Sequence, residues 1–184
     1  LYQRQYVWNQ KDQWEPLWED ISRKLRDGFD GRDNDPPHFL GAIVVDQEQT
    51  RIGQLKRHLI IDGQQRIITL EIFLCALRDF SRSNNCEDVA SELEKFIFND
   101  GIMADTDEEK FKIWPSERDK IFFRDVLMSQ SRHNLEERYP LRHKRYHRYP
   151  DPRPLIIEAY FYFYDQISEF FNEENGNSST NTIS

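Results

Sequence analysis

The sequence predicts an α+β fold, with a small mixed sheet in residues 1–82 and a mainly helical region over 83–174. Two short apolar runs that contain β-branched residues indicate strands. Several longer segments repeat apolar residues at intervals of three and four, which is the spacing of one helix face. The last residues, 175–184, are polar and of low complexity, so a disordered tail is expected there.

The first helix is expected to follow Asn9, whose side chain suits an N-cap. Pro16 falls inside this helical pattern, so the helix should begin near Glu15 or be kinked there. Residues 1–8 before it alternate and are rich in aromatics, which predicts an extended segment. The apolar residues of the helix are expected to face the core: Trp14, Leu17, Trp18, Ile21 and Leu25.

Two strands are predicted ahead of the second helix. Residues 38–45, HFLGAIVV, form an apolar run that indicates a buried strand, and residues 56–62 form a second candidate. Apolar residues recur at helical spacing over 67–80, which favours the order strand, loop, helix. Asp62 and Gly63 would also suit a type I′ hairpin turn, but the return segment does not keep a strand's alternation.

Further helices are predicted over 87–98, after Ser116 and over 155–171, with a short extended piece at 111–114. Ser116 is a candidate N-cap because an acidic residue follows three positions later. Residues 160–164, YFYFY, would place aromatic rings on every face of a helix. We therefore expect this helix to be buried against another subunit or a further domain.

Composition and charge exclude several classes of protein. A formal net charge of −8 argues against a general basic footprint for nucleic acid, and 13 Phe, 8 Tyr and 4 Trp argue against a disordered chain. Cys75 and Cys86 have no metal or disulfide spacing, which fits a reducing, cytoplasmic setting, with Cys75 buried. No apolar run approaches a membrane span. The chain starts at Leu1, so we expect it to be a fragment of a longer protein.

The stretch LIIDGQQRIITL places a group of polar residues between two segments, 59–61 and 67–77, that are both expected to be core. A strand that ends in a glycine-containing loop and feeds a helix is a common phosphate-binding design, because free N–H groups and the helix dipole favour anions there. The alternative is a tight turn with solvated side chains. The candidate site residues are Asp62 for a metal ion or a proton, Gly63 and Gln64 for phosphate, Gln65 for a water, and Arg66 for phosphate oxygens.

Other polar clusters supply additional candidates. Gln3 and Arg4 in the segment YQRQYVW would add a second cation and further donors, and Thr69 lies in the helix after the loop. The basic tract RHKRYHRYPDPRP mixes cations with tyrosines, which suits phosphate and base-stacking contacts. A solvated loop between helices is the alternative for that tract. Its candidates for DNA contact are Arg142, Lys144, Arg145 and Arg148.

Three blocks in order, LYQRQYVWNQKDQWEPLWEDI, HFLGAIVV and LIIDGQQRIITLEIFLCALRD, resemble the N-terminal domain of the GmrSD-type restriction family, which carries a DGQQR signature. The resemblance implies a ParB/sulfiredoxin-like core around the DGQQR loop. It also implies binding and hydrolysis of a nucleoside triphosphate with Mg²⁺, in defence against phage with modified DNA. Gln3, Arg4 and residues 62–66 carry the matching motifs. Many members add a C-terminal nuclease domain, and nothing in this chain resembles one.

Two hypotheses of function therefore follow from the sequence. The first is a nucleotide-binding, NTP-hydrolysing module that works with a nuclease domain or partner subunit outside this chain. The second is a DNA-sensing or protein-interaction domain, whose DGQQR loop grips a backbone phosphate without hydrolysis. Binding of nucleotides and the salt dependence of DNA binding separate the two.

Overall fold

The computed structural model describes residues 4–32, 39–48, 57–99, 107–141 and 152–180. It confirms the α+β class, with a two-stranded antiparallel sheet and a set of helices. The helices are α1 (Glu15–Phe29), α2 (Gln64–Ser83), α3 (Glu87–Ile97), α4 (Asp107–Lys110), α5 (Lys120–Met128), α6 (Arg132–Arg138) and α7 (Leu155–Thr180). The strands are β1 (Val44–Gln47) and β2 (His58–Asp62).

Helix α1 begins as the sequence predicts. The Asn9 side chain accepts the backbone N–H of Asp12 at 3.1 Å, and a π-helical turn, Gln10–Trp14, leads directly into α1. Pro16 falls in the first turn of α1, where the π-helical turn changes to the α-helix. The N-cap prediction is therefore confirmed, and the proline marks the start of the α-helix and does not interrupt it.

The core lies mainly between α2 and α7, with α1 and α5 packed beside them. Phe163 meets Phe73 edge to face at 5.6 Å between ring centroids, and Phe170 meets Trp18 in the same way at 6.0 Å. The aromatic stretch at 160–164 is thus packed within this chain, which corrects the expectation of another subunit or domain. Helix α7 also extends to Thr180, beyond the predicted end at residue 171.

Strand β1 is exposed and β2 is at most half-buried, although their apolar composition predicted burial. Val44 and Val45 of β1 are 50% and 51% exposed, and Ile61 of β2 is 48% exposed. The register shifts between Val44 and Val45, so Ile61 has no Cα partner on β1. The prediction that Ile61 belongs to the core is wrong, because β-branched composition favours a strand but burial depends on what packs against it.

The turn before α5 differs in detail from its prediction. Helix α5 starts at Lys120, so its N-cap is Asp119 and not Ser116. Ser116 still pairs with Asp119, because its hydroxyl donates to the Asp119 carboxylate at 2.7 Å. Asp119 is itself only 7% exposed, and it also receives a hydrogen bond from the start of the chain.

Helix α2 carries buried polar groups along its length. Asp79 accepts hydrogen bonds from Arg78 at 2.7 Å, from Ser129 at 2.9 Å and from Tyr160 at 2.7 Å, which links α2 to α7 and to the end of α5. Glu71 is buried, and one of its carboxylate oxygens has no hydrogen-bond partner among the described residues. Burial raises the pKa of Glu71 to about 8, against the opposing charge of Lys112.

Candidate functional site

The polar stretch forms a strand–turn–helix junction. Asp62 is the last residue of β2, Gly63 is the N-cap of α2, and Gln64 is the first residue of that helix. Gly63 has a φ of 92°, a conformation that favours glycine, and a Cβ there would lie 3.3 Å from Ile43. The order strand, loop, helix is confirmed, and the hairpin alternative is excluded.

The start of α2 has the features of an anion site. The N-cap Gly63 has no side chain with which to cap the first N–H groups of this 20-residue helix. No acidic residue lies in the first turn, where the helix dipole is positive. Gln64 adds a buried side-chain nitrogen that has no hydrogen-bond partner among the described residues.

Arg66 is held in place by the chain before β1. Its Nη1 atom donates to the carbonyl oxygen of Ala42 at 3.0 Å. A Cβ atom on Gly41 would lie 2.6 Å from Nη1 of Arg66, so another residue there would displace the guanidinium from this position. The charged group therefore has a defined place beside Gly41 and the Ala42 carbonyl.

Gln65 has a role that the sequence did not indicate. Its Oε1 accepts the N–H of Val7 at 2.8 Å, and its Nε2 donates to the carbonyl oxygen of Gln5 at 3.1 Å. The amide thus pairs with the backbone of the N-terminal segment, residues 4–8, as a neighbouring strand would. Its predicted contact with a water or ligand remains a prediction.

Tyr6 fixes the same segment from the other side. Its hydroxyl lies 2.6 Å from Thr69 Oγ1 and accepts the indole N–H of Trp14 at 3.0 Å. Thr69 donates its own proton to the Gln65 carbonyl at 2.8 Å, so Tyr6 must donate to Thr69. Burial raises the pKa of Tyr6, which keeps this hydroxyl protonated. Thr69 is fully buried and does not line the cavity described next.

The N-terminal segment, β2 and the start of α2 together line an open cavity of about 740 Å³, which we call the DGQQR cavity. This volume falls in the range of small-molecule sites. Its lining combines the polar side chains of Arg4, Asp62, Gln64 and Arg66 with apolar ones. The cavity is lined by Arg4, Gln5, Val7, Trp8, Leu59, Ile60, Ile61, Asp62, Gly63, Gln64, Gln65 and Arg66.

Some predicted residues fall outside this description. Gln3 and the candidate DNA contacts Arg142, Lys144, Arg145 and Arg148 lie outside the described residues. Arg153, at the end of the same basic tract, donates to the Tyr139 carbonyl at 2.6 Å and stacks over the Phe161 ring at 4.3 Å. Arg153 therefore has a packing role.

The described residues offer few protein ligands for a metal ion. Within the described ranges, no group of three or more His, Cys, Asp or Glu side chains could hold a metal ion. Asp62 is the single carboxylate among the residues that line the DGQQR cavity. One carboxylate fits Mg²⁺ that is carried by a nucleotide, because phosphate oxygens and waters then complete its shell. Over the same ranges, no helix is both long enough and apolar enough to cross a membrane.

Comparison with known protein families gives a match over nearly the whole chain. The family model described as "GmrSD restriction endonuclease, N-terminal domain" matches residues 1–183. A search of curated proteins found no match. The family match covers the N-terminal segment, β2, the start of α2 and therefore every residue that lines the DGQQR cavity. The chain belongs to the family of GmrSD restriction endonuclease N-terminal domains.

Proposed function

We propose that the DGQQR cavity binds a nucleoside triphosphate and that this domain hydrolyses it, as the nucleotide-dependent module of a restriction protein directed at modified phage DNA. The observation that carries the proposal is the convergence of two arginines, a carboxylate and an uncapped helix start on one cavity. Anionic phosphates match the cations and free N–H groups. A ParB-like core and action in the cytoplasm with a nuclease domain or partner subunit are part of this proposal.

The polar lining residues of the cavity would bind the phosphates. The N–H groups at the start of α2 and the unpartnered amide of Gln64 would donate to phosphate oxygens. Arg66, preoriented by the Ala42 carbonyl, would stabilise charge that develops on the transferred phosphoryl group. Arg4 would contribute a second cation from the N-terminal segment.

Asp62 would act on the attacking water or on the Mg²⁺ ion. Asp62 ends β2 and lines the cavity next to the start of α2. This position suits a carboxylate that accepts a proton from an attacking water or contacts Mg²⁺. Mg²⁺, when bound with the nucleotide, supplies charge neutralisation on the phosphates. Gln65 is better suited to positioning than to catalysis, because its amide is engaged with the backbone of Gln5 and Val7.

Titration calorimetry with ATP, GTP, UTP and CTP in the presence of Mg²⁺, followed by phosphate-release assays, tests this function. We expect saturable binding of at least one nucleotide and release of phosphate. Arg66→Ala is expected to lose most of the phosphate release. Absence of binding by the complete protein at millimolar nucleotide would refute the proposal.

A second candidate is a domain that grips a DNA backbone phosphate without hydrolysis. Arg4 and Asp62 are exposed, so the cavity reaches the surface where a macromolecule could approach. A steep decrease in DNA affinity with salt, combined with no phosphate release from any nucleotide, would favour this candidate. Phosphate release that requires Arg66 would exclude it.

A further inference from the structure

The helical region contacts the N-terminal segment through one buried carboxylate. Asp119, which occupies the N-cap position of α5, accepts the backbone N–H of Tyr6 at 2.8 Å across 113 positions of sequence. The same oxygen, Oδ2, accepts the Ser116 hydroxyl at 2.7 Å. Both Tyr6 and Asp119 are buried, at 4% and 7% exposure. Water therefore cannot easily replace this bond.

This bond completes the attachment of the N-terminal segment. The Tyr6 hydroxyl is fixed by Trp14 and Thr69, while its N–H is fixed by Asp119. The residues on either side of Tyr6 are held by Gln65. Of these partners, Asp119 is the one that comes from beyond α2, so it ties the position of the segment to the start of α5.

The position of the segment determines where its cavity-lining side chains lie. Arg4 and Trp8 line the DGQQR cavity from positions two residues before and after Tyr6. Gln5 and Val7, the immediate neighbours of Tyr6, line it as well, whereas Tyr6 itself is buried. The hydrogen bond of the Tyr6 N–H therefore holds the middle of a stretch whose other residues line the cavity.

We propose that Asp119 is a positioning residue for the DGQQR cavity, acting on the bound ligand only through the backbone of Tyr6. The part of this inference that concerns ligand affinity rests on the proposed function. The part that concerns the N-terminal segment does not, because it follows from the hydrogen bonds of Tyr6. The two parts can therefore be tested separately.

The first measurement is hydrogen–deuterium exchange of the peptide that contains residues 4–9, in the complete protein. Asp119→Ala should expose the Tyr6 N–H and accelerate exchange there by roughly 10-fold or more, since bonds to charged groups are among the stronger ones. Asp119→Asn should restore protection, because both donors address the single oxygen Oδ2, which an amide oxygen can replace.

Asp125→Ala is the matched control. Asp125 lies on the same helix, is 5% exposed and bonds Tyr139 and Arg138 instead of the N-terminal segment. The Asp125→Ala substitution should lower the melting temperature but leave hydrogen–deuterium exchange at residues 4–9 unchanged. If Asp119→Ala does not fold, Ser116→Ala takes its place, because it removes one of the two bonds that orient Asp119; a smaller acceleration is then expected.

The second measurement is nucleotide affinity in the same variants. Asp119→Ala should weaken binding of the preferred nucleotide by roughly 10-fold, with a smaller change in turnover at saturation, and Asp119→Asn should recover it. If residues 4–9 exchange no faster in Asp119→Ala than in Asp125→Ala, the role of Asp119 is overturned. Increased exchange in a protein that binds no nucleotide would instead refute the proposed function and leave the positioning role standing.

Discussion

The guanidinium group of Arg66 lies against the Cα atom of Gly41. A Cβ atom at position 41 would come within 2.6 Å of Nη1, 2.7 Å of Cζ and 2.9 Å of Nη2 of Arg66. Gly41 also has a φ of 95°, so both its conformation and its contact favour glycine. The orientation of a central cation of the cavity thus depends on a residue outside the DGQQR stretch.

Gly41→Ala is expected to displace Arg66 without removing its charge. The new methyl group occupies the space of the guanidinium, and the long side chain of Arg66 has to move away. A displaced charge-stabilising group costs much of its effect, so turnover should decrease by roughly 10-fold to 100-fold. Phosphate release at saturating nucleotide measures this change.

The Gly31→Ala control distinguishes the effect of backbone strain from the effect of displacing the Arg66 side chain. Gly31 also has a positive φ, of 69°, but nothing lies within 4 Å of its Cβ position. Both variants should lose a similar amount of stability through backbone strain, whereas only Gly41→Ala should lose turnover. Equal turnover in the two variants would show that the contact with Arg66 has no catalytic consequence.

Removal of Arg66 or Asp62 should affect turnover far more than stability. Neither side chain fills the core, and loss of a well-placed charged group typically costs ~10²–10³ in rate. Arg66→Ala and Asp62→Ala should each keep a melting temperature close to that of the wild type. Wild-type turnover in Arg66→Ala would contradict the catalytic role of the cavity.

A substitution in the core should reduce stability instead of acting mainly on turnover. The sequence pointed to Ile61 for this control, but Ile61 is 48% exposed and its truncation should cost little. Ile68, fully buried on α2, replaces it. Ile68→Ala should lower the free energy of unfolding by ~2–5 kcal/mol, measured by urea titration, because it leaves a cavity in the core.

Loss of the Gln65 amide should loosen the N-terminal segment on either side of Tyr6. Gln65→Leu removes both hydrogen bonds, to Val7 and to Gln5. Trypsin should then cut after Arg4 faster than in the wild type, because a protease requires an extended and accessible chain. The amount of the shortened protein over time, measured by mass spectrometry, gives the rate.

Gln65→Glu tests whether both hydrogen bonds of the Gln65 amide are needed to hold the N-terminal segment. The substitution keeps an acceptor for the Val7 N–H but places a carboxylate oxygen against the Gln5 carbonyl oxygen. We expect cleavage after Arg4 to be faster than in the wild type here as well. Wild-type cleavage rates in both Gln65→Leu and Gln65→Glu would rule out the role of Gln65 in positioning the N-terminal segment.

Glu71 should make stability decrease as pH rises. Its pKa is raised to about 8 in the folded state by burial, whereas the unfolded chain titrates near 4.5. Between these values the folded state holds a proton that the unfolded state has lost. The contribution is therefore complete below the unfolded pKa and is lost as pH rises through the folded pKa, by at most about 1.4 kcal/mol per pH unit.

Urea unfolding of the wild type and of Glu71→Gln at pH 5, 6.5 and 8 checks this dependence. The glutamine variant has no proton to lose, so its stability should fall less than that of the wild type over this range. Parallel curves for the two proteins would show that Glu71 is not protonated in the folded state.

The sequence by itself determined the local structure of this protein. Apolar spacing defined α2 and α7, Asn9 defined the start of the first helix, and the glycine at position 63 marked the junction between β2 and α2. The α+β class followed from these elements. Such features depend on residues that are near one another in the chain, which is why periodicity and capping rules capture them.

The tertiary structure decided burial and the partners of the site residues. It left β1 and Ile61 exposed, placed the aromatic face of α7 inside this chain, and directed the Gln65 amide to the backbone of the N-terminal segment. It also brought Asp119 to Tyr6. These outcomes require segments far apart in sequence to pack together, and a single side chain's chemistry does not specify which distant neighbour it will meet.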